Sequence, residues 1–368
     1  MLPAQAQESP VNVLTFIGTY TNGKSKGIYS FMFDENNGKL KEIGTTGGIQ
    51  NPSFLAIHPN GHFLYAASEL DHNDGKPGGR ICAFKIESGG KLTLINEQSA
   101  GGDGTCFVSL DKTGNCALVA NYNDGSIASF EIAKDGSLSK AVSVIHHHGS
   151  SINPKRQSSQ HAHSINVSPD NNFAFVADLG MDKIMSYKLE AHKAKLTPNQ
   201  PPFCQSTAGA GPRHLAFSPD GKLAYVANEL NSTVSVYSYK ADGELKEIQE
   251  ISTLPNAVAD NTTAEIQVHP SGKFVYCSNR GLDSIAIFRV NSSTGKLSAA
   301  GQQATHGRIP RNFAICPNGH FLLSCNQDSD NVVVFKIDEE NGSLSEVGEP
   351  ATVPAPVCVK FLKTSGNK

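Results

Sequence analysis

Three arginines, three histidines and two acids stand at matching points of four similar segments. These are "HAHSINVSPDNNFAFVAD" from His161, "GPRHLAFSPDGKLAYVANEL" from Gly211, "AEIQVHPSGKFVYCSNRG" from Ala264 and "IPRNFAICPNGHFLLSCNQ" from Ile309. Arg213, Arg280 and Arg311 would supply fixed positive charge, and their planar forks suit a carboxylate or phosphate. His161, His163 and His214 can move protons near neutrality. Glu229 and Asp178 add negative charge, and Asn228, Asn279 and Gln327 add amides. Converged on one cavity, such a set could do acid–base and electrostatic catalysis at a polar bond.

Other chemistries lack their residues. No G-x-S-x-G elbow, phosphate-cradling glycine loop, C-x-x-C-H or H-E-x-x-H occurs. His161 and His163, two apart on a strand, share a face as metal ligands would, yet no third ligand is placed near them. Neither a metal nor an organic cofactor is therefore expected. The 8 cysteines show no metal spacing, and several stand in apolar runs such as "AICPNG", as small buried hydrophobes do. The run His146 to His148, beside "GSSINPKRQ", reads as a solvated polar loop.

The elements that must position these residues repeat. Aligning the tight turns gives Gly61, Gly114, Asn171, Gly221, Gly272 and Gly319, a period near fifty residues. Each unit carries two alternating apolar strands around the turn, a third such as "STVSVYSYK" and a shorter fourth such as "GELKEIQEI". That is a propeller blade of four antiparallel strands. Six units are complete. The N-terminal "VLTFIGTYTNGKSKGIYSFMF" lacks a first strand, and the C-terminal "APVCVKFL" is a first strand with nothing after it. Joined, they predict an all-β, seven-bladed β-propeller closed by its two ends, which leaves no free sheet edge. The expected organisation is a tail over residues 1–10 and one propeller domain over 11–364.

Strand direction explains the polar residues. The first strand of a blade starts, and the antiparallel second strand ends, at the same rim. Arg213 and His214 therefore face the same mouth as Asn228 and Glu229. His161, His163 and Asp178 join them from the preceding blade, and Glu265, Asn279 and Arg280 from the following one. Arg311 with Asn326 and Gln327, Asn51 with Glu69, and Asn121 with Tyr122 complete the rim. Two structural alternatives stay open here: a blade-end Asn or Asp can cap its own turn, and Arg213 can simply bridge to Glu229.

Composition narrows the partners. A formal net charge of −3 over 368 residues gives no basic field for nucleic acid, and no apolar run is long enough for a membrane-spanning helix. A small anionic ligand needs only the local cations. A monomer or weak homodimer is expected. In "MLPAQAQESP", Ala4-Gln5-Ala6 matches the small-x-small end of a secretory signal without the apolar stretch before it, so it reads as a trimmed remnant or a plain disordered tail.

The quoted segments, with "RQSSQHAHSINVSPD" from Arg156, resemble the lactonase family of seven-bladed propellers from about Val11 to Leu362. That family includes propeller-type 6-phosphogluconolactonases and carboxy-cis,cis-muconate lactonizing enzymes. The resemblance carries the family's mouth histidine onto His163, its Pro-Arg-His onto Arg213 and His214, and its Asn-Glu-Leu onto Glu229. Its Asn-Arg falls on Arg280, and its later Pro-Arg and Asn-Gln on Arg311 and Gln327. It implies hydrolysis of 6-phospho-D-glucono-1,5-lactone to the open acid, a reaction of the pentose phosphate type. His163, Arg213, Glu229 and Arg280 would be catalytic, with His163 or Glu229 as proton acceptor. His161, His214, Asn228, Asn279, Arg311, Gln327, Asp178 and Asn121 would bind substrate. The alternatives are a carboxymuconate cycloisomerase, a hydrolase of an unphosphorylated sugar-acid lactone and a non-enzymatic binding scaffold. The absence of Trp weighs against the scaffold. A phosphorylated substrate implies the cytoplasm, and a trimmed signal implies the periplasm or export.

Overall fold

The computed structural model describes residues 12–72, 75–76 and 78–362; the N-terminal tail lies outside them. Seven antiparallel sheets form the expected propeller. From the axis outward, the blade that carries the "PRH" motif runs Pro212–Phe217, Leu223–Asn228, Thr233–Tyr239 and Leu245–Ser252. The closing blade joins the two ends of the chain. Its innermost strand, Pro356–Phe361, pairs with Asn12–Thr19, followed by Ile28–Asp34 and Lys39–Thr46. Beyond four strands, the blade starting at Pro310 has a two-residue addition, Ala351–Thr352.

The repeat follows from local chemistry. All six aligned turn residues sit in the left-handed region, at φ between 66° and 83°, which glycine and asparagine tolerate best. Second strands such as Leu223–Asn228 are buried nearly throughout, so they read as apolar runs, whereas fourth strands alternate and face solvent. Tyr65, Tyr225 and Tyr276 occupy equivalent buried places on second strands. Their hydroxyls donate to the carbonyls of Gly136, Gly295 and Gly342, each on the next blade, which pins neighbouring blades together.

One irregularity recurs at the same rim. In every blade the innermost strand gains an extra residue where it pairs with the second strand. The pairing slips past Ser53, Cys106, His163, Arg213, Arg311 and Val357, and past Ala264–Glu265 in the fifth complete blade. A β-bulge releases its extra residue from the ladder and re-aims the side chain. The ring thus offers one re-aimed side chain per blade at one mouth of the channel.

Candidate active site

That mouth opens into a cavity of about 350 Å³ to which all seven blades or their connections contribute. Its wall includes Tyr20, Glu69, Tyr122, Arg156, His163, Glu229, Thr262, Arg280 and Arg311, with the Cys106 thiol deeper in. Beneath it the channel is plugged by rings. Phe54 and Phe107 stack at 4.2 Å, and the His214 ring stands edge-on to both and to His163, with centroids 5.2–5.6 Å apart.

Glu229 is the hub of one wall. Its Oε1 accepts from Arg156 Nη2 at 2.6 Å, and its Oε2 meets Arg213 Nε at 2.9 Å and Arg280 Nη2 at 3.0 Å. Burial alone would raise the carboxyl's pKa, but Arg280, Arg213 and Arg156 outweigh it and hold the group far below the carboxylate range. With both oxygens occupied, Glu229 is a poor proton acceptor and a strong anchor for cations. Arg213 lies under the wall, 1% exposed. Its Nη1 donates to the Ala264 carbonyl at 2.7 Å, and burial with the charges of Arg280 and Arg311 lowers its pKa to about 10. Arg280 lines the cavity and donates Nη2 to the Thr263 carbonyl, while its buried Nε has no hydrogen-bond partner among the described residues.

His163 is buried at the cavity floor. Burial first, then the charges of Arg213 and its neighbours, drive its pKa well below the ordinary imidazole value, so the ring is neutral at pH 7. On the opposite wall Tyr20 donates its hydroxyl to Glu69 Oε2 at 2.9 Å. The Arg311 guanidinium lies 5.3 Å above the Tyr20 ring and 4.0 Å from Glu69 Oε1. Three guanidiniums in the wall thus face two carboxylates, and Arg213 below offsets Glu265. One positive charge is left over for an anion.

His163, Glu229, Arg280 and Arg311 are brought together as expected, but the remaining expectations need correction. Arg213 stands one layer back, where it can position Glu229 but not touch a ligand. His214 plugs the channel, its Nδ1 3.2 Å from Glu265 Oε2. His161 precedes its strand, and the bulge at His163 breaks the alternation assumed between them. Its Nδ1 accompanies the Tyr122 carbonyl at 2.8 Å and its ring stacks on Tyr122.

Asn121, Asn228 and Asn279 are fully buried locks. Asn121 and Asn279 donate to the carbonyls of Ala100 and Thr253, which lie on the inter-blade connections, and Asn228 donates to Thr233 and Ser235. Gln327 turns outward to Asp328. Asp178 is also buried, accepting from the His161 backbone and pairing with His147 Nδ1 at 2.6 Å. His147 in turn reaches the Tyr187 hydroxyl at 2.9 Å, so the middle of the histidine run is buried rather than solvated.

The residue most clearly missed is Arg156, carried by the loop read as solvated. Its placement is built by Asp182, whose carboxylate accepts from Ser151 Oγ, Gln157 Nε2 and the backbone of Gly209 and Gly211. Among the described residues, no three His, Cys, Asp or Glu side chains gather as metal ligands, and no helix is long and apolar enough to cross a membrane.

Residues 14–361 match the family model "Lactonase, 7-bladed beta-propeller". The 6-phosphogluconolactonase of Bacillus subtilis is 38% identical over 350 residues, covering 94% of this chain and 97% of that one. The structure of the periplasmic gluconolactonase of Pseudomonas aeruginosa superposes with a TM-score of 0.89 at 32% identity, covering 95% of this chain and 99% of that one. A solved protein of Bacteroides fragilis reaches a TM-score of 0.91 at 35% identity over 97% of this chain and 99% of its own.

Proposed function

This chain belongs to the seven-bladed β-propeller lactonases, and we propose that its mouth hydrolyses 6-phospho-D-glucono-1,5-lactone to 6-phosphogluconate. The observation that carries the reading is a buried imidazole, His163, in a cavity whose wall sets three guanidiniums against two carboxylates. The lactone bears a phosphate and develops a second negative charge on its carbonyl oxygen as water adds. Both suit such a cavity.

Arg156 and Arg311 hold the phosphate from opposite walls. Arg156 is the more exposed, at 39%, and meets the substrate first. Arg280 serves the carbonyl oxygen, because its guanidinium lines the cavity and is held in place by Glu229. His163 takes the proton of the attacking water and returns it to the ring oxygen as the C1–O bond breaks. Glu229 orients the three arginines that meet on it and keeps its own charge. Arg213, out of contact with substrate, is a positioning residue.

The test is hydrolysis of 6-phosphogluconolactone, followed by acid release, with His163→Ala and Arg280→Ala beside wild type. Each variant should lose about 10²–10³-fold in kcat/KM, as removal of a fixed donor does in other hydrolases. Wild-type kcat/KM in both folded variants would remove these roles.

A further inference from the structure

We propose that an open groove beside the mouth is a second binding site, for the glycosyl residue of a disaccharide aldonolactone. The inference rests on lactone hydrolysis at the mouth and extends it to longer substrates. The groove encloses about 690 Å³ between the connections that follow Leu223–Asn228 and Leu245–Ser252, on the mouth side of two adjoining blades. It adjoins the catalytic cavity, since Thr262 lines both.

Its chemistry differs from that of the mouth. The lining has no lysine or arginine and one carboxylate, Asp260, so a phosphate gains nothing there. Leu230, Leu254 and Val258 offer apolar surface for the C–H face of a pyranose. The Thr262 hydroxyl and the Asn256 amide, neither engaged by another of the described residues, offer donors and acceptors to its hydroxyls. Apolar contact with a few placed polar groups, and no charge pairing, is what a neutral sugar requires. With the lactone ring at the mouth, water adds to C1 and the ring oxygen leaves as the C5 hydroxyl. The glycosidic bond stays intact.

The experiment compares glucono-1,5-lactone, cellobiono-1,5-lactone and gentiobiono-1,5-lactone with wild type and with Ala257→Trp, which fills the groove from an exposed position. Calorimetric titration with cellobionate and gentiobionate gives a readout independent of turnover. At least one disaccharide lactone should be hydrolysed with kcat/KM within tenfold of gluconolactone. Ala257→Trp should lower that value at least tenfold, weaken binding of the matching aldonate and leave gluconolactone untouched. Turnover of gluconolactone with no disaccharide lactone accepted would overturn the groove proposal alone, as would an Ala257→Trp variant that treats all substrates as wild type does. Failure on every lactone, including the phosphorylated one, would instead count against hydrolysis at the mouth.

Discussion

Replacing Glu229 by Gln separates a charge hub from a proton acceptor. The substitution keeps the shape but removes the one carboxylate on which Arg156, Arg213 and Arg280 meet. Arg213 is 1% exposed, so its charge loses its ionic partner where water cannot replace it. Breaking a buried pair in this way costs about 3–5 kcal/mol. At ~2.1 cal/mol/K of unfolding entropy per residue, a chain of this size changes by about 0.8 kcal/mol per degree, so the melting temperature should fall by about 5 °C. Anion binding should move the other way. One negative charge fewer at about 5 Å, in an effective dielectric of about 20, is worth up to ~3 kcal/mol before competing ions reduce it, so inorganic phosphate should bind at least tenfold tighter. Thermal unfolding with and without phosphate reads both effects. The variant should start lower and regain more stability than wild type at the same phosphate concentration. A variant that melts within a degree of wild type and responds equally to phosphate would refute the hub, and would return Glu229 to consideration as the base.

Two further outcomes follow from groups at the floor of the cavity and behind it. His163 and His214 are depressed in the folded state, His214 to about 4, so below their ordinary value the unfolded chain binds more protons. Stability should therefore be full at pH 7 and decline from about pH 6.5 downward by up to ~1.4 kcal/mol per pH unit for each ring; urea midpoints that stay constant from pH 7 to pH 5 would contradict this. Asp182→Ala should unpin the loop carrying Arg156 and raise KM for the phosphorylated lactone about five- to tenfold, with kcat and the KM for gluconolactone nearly unchanged. An equal change for both substrates would mean that the loop does not serve the phosphate.

The ring and its closure were legible because each blade repeats the same turn chemistry, and the left-handed φ at Gly61, Gly114, Asn171, Gly221, Gly272 and Gly319 is the physical content of that repeat. The choice of mouth was legible from strand direction. What alternation misjudged was which of two neighbouring residues faces the cavity. Asn121 and Asn228 end second strands, Asn279 is next to last in its own, and all three are consumed as locks, whereas the residues after them, Tyr122, Glu229 and Arg280, reach the wall. The same offset from Thr19 and Ser68 lands on Tyr20 and Glu69, so Tyr20 could have been found by counting. Arg156 could not. It sits outside the repeat, on a connection whose course depends on contacts between Asp182 and residues far from it in the chain. The bulges were hidden for a different reason. An extra residue in a ladder leaves no compositional mark when its side chain can be Ser, Cys, His or Arg.

That freedom explains how one scaffold can couple proton transfer to charge formation. The residue at a bulge is released from pairing, so its identity is free to serve the cavity. Here His163, Arg213 and Arg311 occupy three such places around one axis. The arginines' charges add to burial in keeping the imidazole neutral before reaction, because an imidazolium among them is repelled. In the proposed reaction an oxyanion forms beside Arg280 as water attacks, and its negative charge cancels part of the repulsion that the new imidazolium meets from the arginines around it. The cations therefore penalise proton uptake without substrate and permit it when the carbonyl oxygen becomes negative. An interaction that improves only as the transition state is reached is the kind that raises kcat rather than tightening ground-state binding.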